Sequence, residues 1–146
     1  MDSKFDPDKM TIYDFKMANG HVDSPEDFDT STIEGYPIEN GLKLGFNMED
    51  KLVKADFKIE IKTKSKNLKE AKGSFQFVFI YKVENLEELA NPDDNNQIEL
   101  DAALGSALSA VTYSTSRGVL LTRLQGTALQ QFILPIIDPN KLFNHN

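Results

Sequence analysis

From about Ile98 to Gln125 runs a helix-length segment with two unlike faces, and it constrains the fold more than any other stretch. Leu100, Ala103, Leu104, Ala107, Leu108, Val111, Gly118 and Val119 recur at three- and four-residue steps, the pattern of one buried helical face. The opposite side is not charged, as a solvated face would be, but reads Ala102, Gly105, Ser106, Ser109, Ala110, Thr112 and Ser116. Small residues admit another backbone, and a domain of this size ordinarily covers a helix on one side only. A second subunit is therefore expected to cover Gly105, Ser106, Ser109 and Thr112.

Upstream the period changes from helical to alternating. Tyr13, Phe15 and Met17 alternate with Asp14 and Lys16; Leu42, Leu44, Phe46 and Met48 form a second run. The third is the cleanest: Val53, Ala55, Phe57, Ile59 and Ile61 on one face, Lys54, Asp56, Lys58, Glu60 and Lys62 on the other. Phe75, Phe77, Phe79, Tyr81 and Val83 form the fourth, although Val78 and Ile80 make part of its other face apolar. Leu86 to Leu89 reads as a helical turn, and 91–96 as a polar loop. Four strands followed by a helix predict an α+β fold: a four-stranded antiparallel sheet with one long helix packed across it. Residues 1–9 are expected to be loose and 10–146 to form a single domain. Gly118 within the helix predicts a kink, a close contact or a break, since glycine there costs about 1 kcal/mol against alanine.

Composition narrows the function by exclusion. A net charge of −7 disfavours nucleic acid as a partner. Lysines crowd residues 51–72, which is the ordinary dress of a strand's solvent side. No apolar run approaches the roughly 20 residues that span a bilayer, so no membrane insertion is expected. Met1 to Lys9 is charged and lacks the apolar stretch of a signal peptide, so a cytoplasmic location is expected. The chain has no cysteine, hence no disulfide and no thiolate metal site. His21 and His145 are the only histidines, and neither has a partner at ligand spacing. With no Gly-x-Ser-x-Gly elbow and no glycine-rich phosphate loop, neither an enzyme nor a cofactor is expected.

An apolar surplus remains. Phe28, Ile33, Tyr36 and Ile38 punctuate the long acidic connection 19–41, and Phe132, Ile133, Leu134, Ile136, Ile137, Leu142 and Phe143 crowd the tail. These side chains either pin loop and tail to the core or line a groove for extended apolar polypeptide. On the second reading Phe28, Ile33 and Tyr36, with Leu42 and Leu44 of the second strand, form the groove wall.

An ordered set of short features resembles the SecB family of export chaperones. It comprises Ile12-Tyr13 before Asp14, Tyr36-Pro37, Leu42-Lys43-Leu44, Leu104-Gly105, Arg117-Gly118, Gly126-Thr127, Leu134-Pro135 and Leu142-Phe143, over roughly residues 10 to 143. The resemblance implies a dimer or tetramer with helices at the subunit contact, and a helix that runs on to about Leu124. It also implies unfolded polypeptide or an antitoxin as client, and a secretion motor contacted through Asp14. Tyr36 stands where the family has a tryptophan before proline. The sequence departs from the pattern at three places. The family's aromatic helix stretch is here Ala110 to Arg117, keeping only Tyr113 and Arg117; no acid occurs at Gln76 to Val78 for the motor; and the family's C-terminal helix after Leu142-Phe143 is expected to be absent.

Overall fold

Apolar alternation in 10–83 resolves into four long strands, and a computed structural model describes residues 4–95 and 97–145, the side chains of 143–145 excepted. They are β1 (Met10–Asp23), β2 (Ile38–Asn47), β3 (Leu52–Lys62) and β4 (Lys72–Val83). All neighbours are antiparallel, in the order β1-β4-β3-β2. A short helix α1 (Leu86–Leu89) and a small hairpin of β5 (Ala90–Pro92) and β6 (Ile98–Leu100) lead into α2 (Ala102–Arg123). The fold is thus α+β, with one long helix beside the sheet.

Local chemistry sets the limits of α2. The Asp101 carboxylate accepts from Leu104 N–H at 3.1 Å, capping the first turn. At the other end Gly126 takes φ +78°, a left-handed conformation that ends helices readily only at glycine. Between them the helix is continuous. Gly118 is exposed, and an added Cβ there would meet nothing within 4 Å, so it marks neither a break nor a close contact.

The core lies between one sheet face and α2. Register pairs Ala55 with Phe79, Phe57 with Phe77 and Ile59 with Phe75, so these side chains share a face. All are buried. Leu104, Gly105, Leu108, Ser109, Thr112, Tyr113, Ser116 and Leu120 form the buried stripe of the helix. The expectation that a second subunit covers Gly105, Ser109 and Thr112 is therefore corrected. The chain's own sheet brings bulk in Phe57, Phe77, Phe79 and Tyr81, and the small helix residues leave room for it. Tyr81 Oη lies 2.7 Å from Thr112 Oγ1, and the Phe57 and Tyr113 rings meet edge to face at 5.9 Å. The Ser109 and Ser116 hydroxyls are buried with no hydrogen-bond partner, so small size rather than bonding suits them to this face. Ser106 lies at the border, its hydroxyl donating to Asn140 Oδ1 at 2.7 Å. Val111 and Val119, assigned to the buried face by periodicity, are only half-buried.

β1 departs from simple alternation. Register shifts between Ile12 and Asp14, and between Met17 and Asn19, introduce bulges. The first leaves Tyr13 out of register and 65% exposed, while Phe15 and Met17 lie opposite Phe79 and Phe77 on the core face. Tyr13 therefore does not share a face with Phe15 and Met17. Residues 4–9 are tied down: Phe5 packs on the core, and Asn85 Nδ2 donates to the Lys4 carbonyl.

Candidate functional site

The connection between β1 and β2 is long because those strands lie at opposite edges of the sheet, about 14 Å apart at the usual strand spacing. Residues 24–37 cross one end of the sheet and are stitched to the β3–β4 loop. Asn67 Oδ1 accepts from Asp29 N–H at 2.8 Å, and its Nδ2 donates to the Asp29 carbonyl at 2.9 Å and to Thr32 Oγ1 at 3.2 Å. Farther on, Glu34 N–H donates to the Lys64 carbonyl and Lys64 N–H to the Gly35 carbonyl. The crossover is thus a held structure that presents its apolar side chains in fixed places.

Hydrogen bonds also set its charges. Ser31 donates through hydroxyl and amide to the Asp29 carboxylate and holds it below the ordinary carboxylate range. Ser65 does the same for Glu70 in the facing loop. Burial raises Tyr36 and Tyr113, and pushes Tyr81 up to about 12, so all three phenols stay neutral donors at physiological pH.

The tail comes back over α2 and the sheet after Gly126. Leu129 reaches the sheet at Gly73, where a Cβ would stand 2.8 Å from Leu129 Cδ1, so a larger residue there would push the Leu129 side chain aside. Phe132 and Leu134 turn inward and are buried, whereas Ile133 and Ile136 are 61% and 90% exposed. Two side chains one helical turn apart hold this stretch through its peptide groups. Tyr113 Oη donates to the Pro135 carbonyl at 2.6 Å. Arg117 donates to the Leu134 carbonyl at 2.8 Å and to the Pro135 carbonyl at 3.2 Å, with its guanidinium 5.3 Å from the Tyr113 ring centre. Leu142, farther along, is buried again.

The expected wall residues fare differently. Tyr36 is half-buried and meets Phe132 edge to face, ring centres 5.4 Å apart. Phe28 and Leu44 are half-buried against the core, and Ile33 is half-buried in the crossover. Leu42 does not belong to an accessible wall: it lies opposite Phe57 and is fully buried, because its β2 position faces inward. Phe28 borders a depression of about 940 Å³ lined mainly by charge, including Asp23, Glu26, Asp27, Lys62, Lys69 and Lys72. That depression is not an apolar groove. The structure instead joins Tyr36 to Phe132, and through the tail to Tyr113 and Arg117. The i, i+4 step puts the Tyr113 phenol and the Arg117 guanidinium side by side on one helix, but nothing local to it says what the pair holds.

Asp14 is exposed on the outer sheet face opposite Ile80, its carboxylate accepting from Phe15 N–H. Among the described residues no group of three or more His, Cys, Asp or Glu side chains gathers to hold a metal ion. No helix of the described residues is long and apolar enough to cross a membrane.

Neither a protein-family model nor a curated protein sequence matches the chain. Its fold is nevertheless shared with solved structures. One is a SecB-like chaperone of Mycobacterium tuberculosis, in complex with a ChAD peptide from the HigA1 antitoxin. The TM-score is 0.64 at 12% sequence identity, and the match covers 90% of this chain and 92% of the other. The chain therefore has a SecB-like fold, reached with little sequence in common.

Proposed function

We propose that this protein is a cytoplasmic chaperone that holds unfolded or extended apolar polypeptide, and that it works as a homo-oligomer. The observation that carries the reading is the Tyr36–Phe132 contact, which joins crossover and tail into an apolar wall beside two side chains bonded to peptide carbonyls. Such contacts suit binding without a sequence code, since every polypeptide offers carbonyls and most unfolded ones offer apolar side chains. Ile33 and Leu44, both half-buried, are proposed to extend the wall, whereas Phe28 borders the charged depression. The fold of a chaperone solved with a peptide supports the same reading. Because that peptide comes from an antitoxin, a single dedicated client of this type is the second reading.

Subunit contact belongs on surfaces the chain leaves open. Ile12 and Phe15 lie on the core face of edge strand β1 yet are 49% and 38% exposed. The outer side of α2 offers Ala102, Ser114, Gly118 and Leu121, small or apolar and uncharged. A second copy placed there would cover both. Motor docking through Asp14 is the weakest part of the resemblance. The fourth-strand side chains on that face, Gln76, Val78, Ile80 and Lys82, include no carboxylate, and Lys54 follows in the same row. That environment favours client holding over export coupling.

Suppression of aggregation of several unrelated denatured proteins tests the reading. A general chaperone protects all of them at near-stoichiometric ratios. Protection of none, with tight binding of one antitoxin-derived peptide, identifies the dedicated alternative. Tyr36→Ser is expected to weaken capture about tenfold while the protein stays folded; undiminished capture places the groove elsewhere.

A further inference from the structure

We propose that residues 131–138 are an intramolecular strap occupying the place of an extended client, and that polypeptide enters by replacing it. The inference rests on the client-holding reading and adds how the site is kept closed. Three features of the tail carry it. Among the described residues, the main chain of Ile133 to Ile137 makes no main-chain hydrogen bond; the flanking ones are Phe132 N–H to the Leu129 carbonyl and Lys141 N–H to the Asp138 carbonyl. The segment is therefore neither strand nor helix, and no sheet or helix partner has to be broken to lift it. Its carbonyls are instead held by Tyr113 and Arg117, bonds that any extended peptide could accept in its stead. Its side chains also point as a bound extended peptide's do, with Phe132 and Leu134 two residues apart and inward, and Ile133 outward.

Anchors lie on both sides of the strap. Leu129 is wedged over Gly73, and Leu142 is buried beyond it. The middle can therefore lift while its ends remain seated, and the exchange replaces the side chains of Phe132, Leu134 and half-buried Ile137, with two carbonyls, by the client's equivalents. Because the client's groups nearly match those of the strap they displace, capture is reversible. Affinity is lowered by the fraction of time the strap is closed.

The probe is a permanently unfolded protein, reduced and carboxymethylated α-lactalbumin, added to the whole chain while amide hydrogen exchange is followed. Exchange across 131–138 is expected to quicken on binding, with α2 unchanged. Leu134→Ala shortens an inward side chain of the strap itself and leaves Tyr113 and Arg117 in place to hold a client. It is expected to quicken exchange in the strap without client, raise anilinonaphthalene sulfonate fluorescence, and bind the unfolded protein roughly threefold to tenfold more tightly. If that variant does not fold, Leu134→Val, which removes less of the inward side chain, is expected to shift all three readouts in the same direction by less. Capture by wild type with exchange at 131–138 unchanged or slowed overturns the strap alone. Capture by neither protein overturns the client reading and the strap together.

Discussion

One face of one sheet is finished at the central strands β3 and β4 and unfinished at edge strand β1. Phe57, Phe77, Phe79 and Tyr81 are fully buried under α2 and the tail, whereas Ile12 and Phe15, aligned with Tyr81 and Phe79, remain largely exposed. Both regions alternate and both carry large apolar side chains, so amino-acid type does not separate them. Cover does. A 22-residue helix of small residues can lie close over only part of a sheet, and the edge strand beyond it is left for another element. Alternation names the face that seeks burial; it does not say who supplies the burial.

The sharpest way to break this comparison is to empty a site in the finished region. Phe77→Ala is expected to cost about 3–5 kcal/mol, since nothing around a fully buried ring can collapse cheaply into the hole. Lys58→Ala, on the opposite face of the neighbouring strand, serves as control and should change stability by less than about 0.5 kcal/mol. Equal effects in urea unfolding would mean that the two faces have been exchanged.

A smaller effect is expected in the unfinished region. Phe15 stacks on Phe77 at 6.1 Å and lies 4.9 Å from Phe79, but it is 38% exposed. Phe15→Ser should cost the isolated subunit about 1 kcal/mol. If a second copy covers this edge, the loss grows with protein concentration and sedimentation shifts toward monomer. A change independent of concentration would show β1 to be an ordinary solvated edge.

The smallest effect concerns pH and the held crossover. Asp29 and Glu70 both titrate below their ordinary values because Ser31 and Ser65 donate to their charged forms. Depressed folded values contribute stability above the unfolded carboxylate pKa, and that contribution disappears as pH falls through the lowered folded pKa. Protection factors of the amides in 24–37, taken relative to the intrinsic exchange rate at each pH, should therefore fall on acidification below the ordinary carboxylate range, before the sheet loosens. Asp29→Asn with Glu70→Gln should flatten the dependence. Asp29 is exposed and Glu70 only half-buried at the surface, so global melting should move little.

The SecB-like fold was legible before any coordinates, through motifs in order rather than through any one of them. Much of the candidate site was not. Tyr36 is half-buried against Phe132 of the tail, but Leu42 belongs to the core, because in a strand a single step decides between surface and interior. The roles of Tyr113 and Arg117 depend on carbonyls about 20 residues farther along the chain, at Leu134 and Pro135, and no local pattern carries that information.

By itself the sequence determined the elements. β2, β3 and β4 follow from two-residue alternation, the end of α2 from Gly126, and the long crossover from glycines, prolines and acids between two strands; the exception is Ile98–Leu100, expected at the start of the helix, which pairs with Ala90–Pro92 as β6. These are local matters, settled by backbone sterics and by the solvation of neighbouring side chains. Tertiary structure decided which stripe of α2 turns inward: Leu104 and Leu108 from the apolar side together with Gly105, Ser109, Thr112 and Ser116 from the small one, with Val111 and Val119 left half-buried. Periodicity weighs hydrophobicity, whereas packing weighs volume, and a sheet crowded with phenylalanines leaves room for glycine and serine but little for valine. The bulge that turns Tyr13 outward and the tail that closes over Tyr36 likewise depend on distant partners meeting in space.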